Sequence, residues 1–182
     1  MQKITSAFFA RDTVIVAQEL VGKIISKDGF LARIVETEAY KKDPASHAFT
    51  RTERSALMYD TYSHIYVYLI YGVHYCLNFT TEKDDAGAVL IRAVQPLNKI
   101  DDLKKRRSTD SIKNLCNGPG KLCQALQITK KDNGQPVGKS IAVFDDDFIV
   151  DKIVSSKRIG ISVAQDLEWR FYIKDNLFVS KK

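Results

Sequence analysis

Two glutamates stand two residues apart in the run Arg33-Ile-Val-Glu-Thr-Glu-Ala-Tyr40, which has the composition of a strand. Side chains alternate between the two faces of a strand. One face therefore holds Glu36, Glu38 and Tyr40, and the other holds Val35, Thr37 and Ala39. Two acids and a phenol on one face are costly to bury. The alternative is a half-exposed edge strand with solvated glutamates, and the spacing alone does not decide between them.

The chemistry open to this pair depends on how the two carboxylates face each other. Glu36 and Glu38 lie roughly 6.6 Å apart along a strand, Cα to Cα. Glycoside hydrolases use two carboxylates that flank a C–O bond from opposite sides of a cleft. Neighbours on one strand point the same way, so the spacing favours one working acid with a structural partner.

A histidine and an aromatic run follow this strand. His47 ends the segment Asp43-Pro-Ala-Ser-His47 and can hydrogen-bond or stack, although a lone histidine in a surface turn is the commoner case. Tyr66 and Tyr68 share a face of a later predicted strand, and Tyr71 falls on a tight turn. A ring held out at a turn can act as a wedge between stacked bases, unless it folds back over its strand. We expect the glutamates, the histidine and the tyrosines to line one pocket.

Turn signals place the two glutamates on a hairpin. Asp28-Gly29 separates Lys23–Lys27 from Phe30–Tyr40 and suits a two-residue type I′ turn. Asp12 predicts the start of a short preceding helix, and Gly22 predicts its end. The sequence predicts an α+β fold: a single domain over residues 1–182, with a mostly antiparallel, hairpin-built sheet, peripheral helices and a protruding β-hairpin.

The remaining elements are predicted from apolar runs and turn residues. The predicted strands are His64–Ile70, Tyr75–Thr80, Ala88–Val94, Ile141–Phe144, Arg158–Val163 and Trp169–Ile173. The predicted helical segments are Pro44–Thr50 as a turn or single helical turn, Asn98–Arg107, and a helix start within Asn117–Leu126. In that last segment Gly118-Pro-Gly-Lys121 lacks the spacing of a nucleotide phosphate loop. It could present Lys121 to a DNA phosphate, or it could be a plain helix cap.

The net charge, the apolar runs and the cysteines limit the classes of protein to which the chain can belong. The chain has 182 residues, a formal net charge of +6 and three cysteines. A basic balance suits a polyanionic partner, although a lysine-rich proteome gives the same balance. No apolar run approaches about 18 residues, so no membrane helix is expected. The cysteines show no metal-binding spacing, so we expect reduced thiols, no metal site and a cytoplasmic protein, monomeric by default.

Taken together, these segments resemble the alkyladenine (3-methyladenine) DNA glycosylase family over most of the chain, in order and in approximate spacing. Val-Glu-Thr-Glu-Ala-Tyr followed by Tyr-Val-Tyr-Leu-Ile-Tyr-Gly is highly specific in combination, whereas neither half is sufficient alone. The matching segments are Arg33–Tyr40, His47, Tyr66–Asn78, Gly87–Pro96, Gly118–Ile128, Arg158–Gly160 and Arg170–Tyr172. The chain begins close to the domain, without the long extension of animal members, so the resemblance is to the bacterial type.

The resemblance implies a monofunctional DNA glycosylase that hydrolyses the N-glycosidic bond of alkylated purines in duplex DNA, the first step of base excision repair. It implies base flipping, which is general among glycosylases. The implied substrates are 3-methyladenine and 7-methylguanine, with hypoxanthine and ethenoadenine left open. The implied roles are general base for Glu38, water binding for Arg92, base binding for Tyr40, His47, Tyr68 and Asn78, and intercalation for Tyr71. No cofactor is implied, and the implied location is the bacterial nucleoid.

Three departures from the family pattern bear on lesion range and DNA affinity. His74 stands where an aromatic residue is common beside the wedge, and Asp60-Thr-Tyr-Ser-His64 lacks a Pro-Gly turn. Ser55 and Ala56 replace more polar or basic residues. Three rival functions stay open at this point: a non-catalytic binder of damaged DNA, a hydrolase of free nucleosides or glycans, and an RNA-binding module that stacks bases on its tyrosines.

Overall fold

A computed structural model describes residues 1–181, and within this range nine strands join one antiparallel sheet. The strands are β1 (Gln2–Lys3), β2 (Ile24–Lys27), β3 (Phe30–Tyr40), β4 (Ile65–Ile70), β5 (His74–Thr81), β6 (Gly87–Pro96), β7 (Ala142–Asp145), β8 (Ile153–Ser156) and β9 (Arg170–Ile173). The α-helices are α1 (Ser6–Phe9), α2 (Thr13–Leu20), α3 (Ala56–Asp60), α4 (Ile100–Arg107) and α5 (Pro119–Ala125). Short 3₁₀ turns cover His47–Phe49, Ile112–Asn114 and Lys130–Asp132. The predicted α+β fold is confirmed.

Strand β3 is the centre of the sheet because it pairs with three other strands. The order along the sheet is β1-β7-β2-β3-β6-β5-β4, with β9 added to β3 and β8 added to β9. The β2–β3 turn has Asp28 at φ 50° and Gly29 at φ 77°, the left-handed pair that a type I′ hairpin requires. Glu36 and Glu38 lie where β3 pairs with both β6 and β9, so their backbone is held from two sides.

A β-bulge interrupts β3 around Glu36, the first of the two glutamates. The register of β3 against β6 shifts twice between Ile34 and Thr37. Ile34 and Ala39 belong to the main core, whereas Val35 packs in a separate cluster with Val179 near the C-terminus. The prediction that Val35 shares a face with Thr37 and Ala39 is therefore wrong, because a bulge breaks the alternation of side chains.

Helix α2 covers the face of β3 that points away from Glu38. As predicted, Asp12 caps this helix, since its Oδ1 accepts from the backbone N–H groups of Val14 and Ile15 at 2.8 and 3.1 Å. The Thr37 hydroxyl donates to the Ala17 carbonyl at 2.7 Å and ties strand to helix. The main core includes apolar residues of this face and of α2 and α5. The other face of β3 is thereby left for polar side chains.

One predicted strand is wrong. The segment 157–168 has no regular structure, although Arg158–Val163 reads as an apolar strand. Arg158 is buried in an ion pair, and Gly160 adopts φ 77°, so the chain turns where a strand would continue. The sequence also missed β8, whose Ser155 and Ser156 blur the apolar alternation, and it missed β1, α1 and α3. The ends of the other predicted strands differ by at most two residues.

No helix among residues 1–181 is long and apolar enough to cross a membrane. The three cysteines, Cys76, Cys116 and Cys123, are buried and carry free thiols.

Candidate active site

A cavity of about 610 Å³ opens where strands β3 to β6 meet the turn at residues 43–47 and the loop at residues 159–161. Pro119 and Gly120, at the start of α5, also contribute to its wall. Six of the eight predicted site residues line this cavity: Tyr40, His47, Tyr68, Tyr71, Asn78 and Arg92. Glu38 and Lys121 do not line it. The structure thus brings together side chains that lie far apart in the sequence.

Glu38 lies directly behind the cavity wall and has no exposed surface. Its Oε1 accepts the backbone N–H of Ile159 at 2.7 Å. Its Oε2 accepts the Tyr40 hydroxyl at 2.7 Å and Arg92 Nη1 at 3.1 Å. All three donors belong to residues that line the cavity. A carboxylate offers about four acceptor positions, so about one position is left for a further donor.

Burial raises the pKa of Glu38, because desolvation disfavours the charged carboxylate. The Arg92 guanidinium, the Ile159 amide and the Tyr40 hydroxyl act in the opposite direction. Burial and the Glu38 charge also raise the pKa of Tyr40, so this phenol stays a neutral donor. A carboxyl group with a raised pKa behind a cavity wall has the character of a general base.

Glu36 is also fully buried, but its hydrogen-bond partners come from β9 and the C-terminal segment and do not line the cavity. It accepts Arg170 Nε at 2.7 Å, the backbone N–H of Ser180 at 2.7 Å and the Ser180 hydroxyl at 2.9 Å. Arg92 lies between the two glutamates, with its Nε 3.6 Å from Glu36 Oε1. Glu36 therefore joins β3 to β9 and to the C-terminal segment. These contacts suit the structural role expected for one of the two glutamates.

Three rings form a second part of the cavity wall. His47 Nδ1 and the Tyr66 hydroxyl are hydrogen-bonded at 2.8 Å. The His47 ring stands edge-on to Tyr68, with centroids 4.7 Å apart and planes at 70°. The centroids of Tyr66 and Tyr68 lie 5.5 Å apart. Tyr66 was not among the predicted base-binding residues, although its shared face with Tyr68 was the signal that could have found it.

These rings are neutral, with one cation nearby. Burial and the positive charge of Arg54 lower the pKa of His47 to about 4. Burial raises the pKa of Tyr68 above its ordinary value. Arg54 lies over the Tyr68 ring, 5.1 Å from Cζ to the ring centroid, and lines the cavity. Arg54 lies in a charged loop, and no local pattern predicted its place in the site.

Asn78 occupies a fixed position in the wall. It lies opposite Tyr66 in the β4–β5 pair, and its Nδ2 donates to the Tyr66 carbonyl at 3.0 Å. Only 3% of its surface is exposed. The amide is thus held by the sheet at the surface of the cavity, and it can limit what fits there.

Tyr71 stands at the tip of the β4–β5 hairpin and is 84% exposed. Tyr71 at φ 52° and Gly72 at φ 71° form a tight turn that the Val73 N–H closes on the Ile70 carbonyl at 3.2 Å. A residue other than glycine in this left-handed conformation costs about 1 kcal/mol. The prediction that the ring projects from a tight turn is confirmed, and the ring does not fold back over its strand.

Lys121 lies on the first turn of α5, and its Nζ donates to Asn117 Oδ1 at 2.8 Å. A side chain at Gly120 would come within 3.0 Å of His74, so glycine lets α5 pack against the start of β5. Lys121 is therefore near the hairpin and outside the cavity. Within residues 1–181, no group of three or more His, Cys, Asp and Glu side chains is arranged to hold a metal ion.

Comparison with known proteins points to one family. The model of the family described as Methylpurine-DNA glycosylase (MPG) matches residues 7–177. A protein of Clostridium novyi (strain NT) is 44% identical over the full length of both chains. One of Clostridium perfringens (strain 13 / Type A) is 46% identical over 96% of this chain and 97% of its own. One of Agrobacterium fabrum (strain C58 / ATCC 33970) is 45% identical over 99% and 93%. All three bear the provisional name 3-methyladenine DNA glycosylase.

The fold, the site and these matches define a hydrolytic DNA glycosylase that serves DNA repair. The chain belongs to the methylpurine-DNA glycosylase family. The family and the enzyme class predicted from the sequence are therefore confirmed.

Proposed function

We propose that this glycosylase excises alkylated purines from duplex DNA by hydrolysis, with Glu38 as the general base for the attacking water. The reaction leaves an abasic site and begins base excision repair. The observation that carries the proposal is the environment of Glu38. A buried carboxylate with three fixed donors and about one acceptor position left lies behind a cavity walled by aromatic rings.

The donors around Glu38 support a water-activating role. Ile159, Tyr40 and Arg92 hold the carboxylate in one orientation, so the remaining acceptor position points in a fixed direction. A water bound there would give its proton to Glu38 as it attacks C1′ of the nucleotide. General-base assistance of this kind contributes about 10²- to 10⁴-fold to a rate. Arg92 would help to hold the same water.

The ring-lined cavity supports a cationic base as substrate. A purine methylated at N3 or N7 carries a positive charge, and it leaves as a neutral base without help from an acid. Aromatic faces attract such a cation by roughly 0.5–2 kcal/mol per ring. Tyr40, His47 and Tyr68 are the rings that would enclose the flipped base. Neutral lesions such as hypoxanthine and ethenoadenine would need a proton donor, so 3-methyladenine and 7-methylguanine are the proposed substrates.

Three further features support selection of the damaged base and flipping of its nucleotide. The lowered pKa of His47 keeps that ring uncharged at neutral pH, so it does not repel a cationic base. Asn78 would crowd the exocyclic amine of an unmodified guanine. The exposed ring of Tyr71 would fill the gap that the flipped nucleotide leaves in the duplex.

The rest of the proposal concerns the chain as a whole. Residues 1–182 would act as one glycosylase domain and as a monomer, bound to DNA in the bacterial nucleoid, without a cofactor. The +6 net charge supports a polyanionic partner. Lys121 would contact a backbone phosphate after exchanging its bond to Asn117.

Release of the free base tests the proposal most directly. Methylated duplex DNA is incubated with excess folded protein, and the supernatant is analysed for free 3-methyladenine and 7-methylguanine by chromatography and mass spectrometry. We expect both bases to appear, together with abasic sites that alkali cleaves. Absence of any free base with a protein whose fold has been verified would refute the substrate assignment.

A further inference from the structure

One of the three donors that hold Glu38 belongs to a loop. Ile159 lies in segment 157–168, which has no regular structure, yet its N–H bonds Glu38 Oε1 at 2.7 Å. The Tyr40 and Arg92 donors are carried by strands of the sheet. Some other contact must therefore fix the loop if the third donor is to be equally well placed.

That contact is made by the neighbouring residue. The Arg158 side chain has no exposed surface, and it pairs with Asp43 through two bonds, Nη1–Oδ2 at 3.0 Å and Nη2–Oδ1 at 2.7 Å. Nη1 also donates to the Ala39 carbonyl at 3.1 Å, next to Glu38 on β3. The guanidinium lies 4.8 Å from the Tyr40 ring centroid and 5.3 Å from that of Trp169.

Asp43 extends the same contact to the other wall of the cavity. It is only 6% exposed, its Oδ1 accepts the Ala45 N–H at 3.0 Å, and its carbonyl accepts the Ser46 N–H at 2.9 Å. These bonds shape the turn that ends at His47. One buried ion pair therefore joins the loop that holds Glu38 to the turn that carries His47, one of the rings of the cavity wall.

We infer that the Arg158–Asp43 pair is the positioning device of this site, which places the Ile159 N–H on Glu38 and the turn of His47 over the cavity. The inference rests on the proposed role of Glu38. A bidentate pair fixes both distance and orientation, which a single bond to lysine does not. Loosening the pair should withdraw the Ile159 donor from the carboxylate.

The expected kinetic signature follows from the groups that face Glu38. Arg92 on β6, Tyr40 on β3 and the Ile159 amide favour its charged form, whereas burial and Glu36 oppose it. Without the amide, the base should lose its proton only at higher pH. The acid limb of the rate profile should then move upward, in addition to a loss of rate of about tenfold to a hundredfold from misplacement.

The test compares Arg158→Lys, Asp43→Asn and the double variant with Arg33→Lys. Arg33 pairs with Asp146 through two bonds of 2.9 and 2.8 Å, so it is a matched bidentate pair away from the cavity. Single-turnover excision of 7-methylguanine is measured from about pH 5 to 9. We expect both single variants to be slow with a raised acid limb, and the double variant to be no slower than the worse single one. Arg33→Lys should keep the wild-type profile.

A second readout does not depend on excision. In the wild type, the ¹H–¹⁵N signal of the Ile159 amide should shift as Glu38 titrates, and in Arg158→Lys this shift should be lost. The inference is wrong if folded Arg158→Lys or Asp43→Asn keeps this NMR shift and also shows the same pH profile of excision as Arg33→Lys. If Arg158→Lys does not fold, Asp43→Asn decides, because it keeps the oxygen that caps Ala45. A third outcome separates the two proposals. If Arg158→Lys loses the Ile159 shift while Glu38→Gln still excises at the wild-type rate, the Arg158–Asp43 pair positions the loop as inferred, and the proposed role of Glu38 as general base is wrong.

Discussion

The floor beneath the cavity, meaning Glu36, Glu38 and their hydrogen-bond donors, differs from the tip of the β4–β5 hairpin in how far its side chains are buried. In the floor, Glu36 and Glu38 have no exposed surface, and their carboxylates are bonded within the protein. At the tip, Tyr71 is 84% and Val73 69% exposed, on a turn with a strained tyrosine. Within the described chain, the floor leaves about one acceptor position of Glu38 open, whereas the side chains of the tip project into solvent.

This difference indicates where each region contributes free energy. Fixed donors around a buried carboxylate lower the reorganisation that a reaction requires, so the floor should govern the rate. An exposed aromatic ring contributes little to folding and can gain contacts only from another molecule. The tip should therefore govern the affinity for DNA. Variants in the two regions should separate these quantities.

The largest effect is expected for Glu38→Gln. Glutamine keeps the size of the side chain, and its carbonyl can still accept one hydrogen bond, but it cannot take a proton from water. We expect single-turnover excision to fall by about 10²- to 10⁴-fold while affinity for lesion-containing duplex stays close to the wild type. Base release and fluorescence anisotropy measure the two quantities on the same DNA.

Glu36→Gln is the matched control for that loss, since both glutamates lie on β3 and are equally buried. Removing the charge leaves buried Arg170 without its ionic partner, which costs about 3–5 kcal/mol of unfolding free energy. Urea unfolding should show this loss, while the folded fraction still excises the base. If Glu36→Gln abolishes excision and Glu38→Gln does not, the assignment of the two roles is reversed.

The next effect in size concerns the tip, through Tyr71→Ala. Base stacking on an aromatic side chain is worth about 1–3 kcal/mol, so Kd for lesion-containing duplex should rise about 5- to 150-fold. The unfolding free energy should change by no more than about 0.5 kcal/mol, because the ring is exposed. Ile149→Ala, which removes an apolar side chain that is 83% exposed elsewhere, should change neither quantity. An unchanged Kd for Tyr71→Ala would contradict the wedge.

The sequence predicted those parts of the site that depend on local signals. Asp28-Gly29 marks a hairpin because few residues tolerate two successive left-handed conformations. The tyrosines of β4 follow from period-two alternation. Both signals act over a few residues, so they are visible without the fold. They were sufficient to place Glu38 on a rigid strand and Tyr71 at a turn.

The missing parts depend on contacts that leave no local trace. Arg158 and Asp43 are 115 positions apart, and Ser180 reaches Glu36 across 144 positions. Arg158 falls before an apolar run that reads as a strand, so its burial was not visible. The bulge that moves Val35 out of the main core depends on pairing with β6. Such features follow from tertiary packing, which overrides local alternation.

The smallest expected effect concerns the ring cage, meaning His47, Tyr66 and Tyr68 of the cavity wall, whose stability should depend on pH through His47. Its pKa is about 4 in the folded protein, against 6.5 for the ordinary side chain, so the unfolded chain binds the proton more tightly. Stability should therefore be full above about pH 6.5 and fall as the pH drops towards 4. After discounting for partial exposure, the loss is about 1 kcal/mol, or about 2–4 °C in Tm.

His47→Gln removes this titration, so its Tm should fall less than that of the wild type on acidification, as differential scanning fluorimetry can measure. Groups common to both proteins cancel in the comparison. The acid limb of the excision profile should stay in His47→Gln, because the floor carboxylate and not the histidine sets it. Equal acid sensitivity of the two proteins would show that folding does not lower the pKa of His47, so this ring would gain a positive charge below about pH 6.5. The cage would then oppose a cationic base, and selection would have to come from the shape that Asn78 imposes.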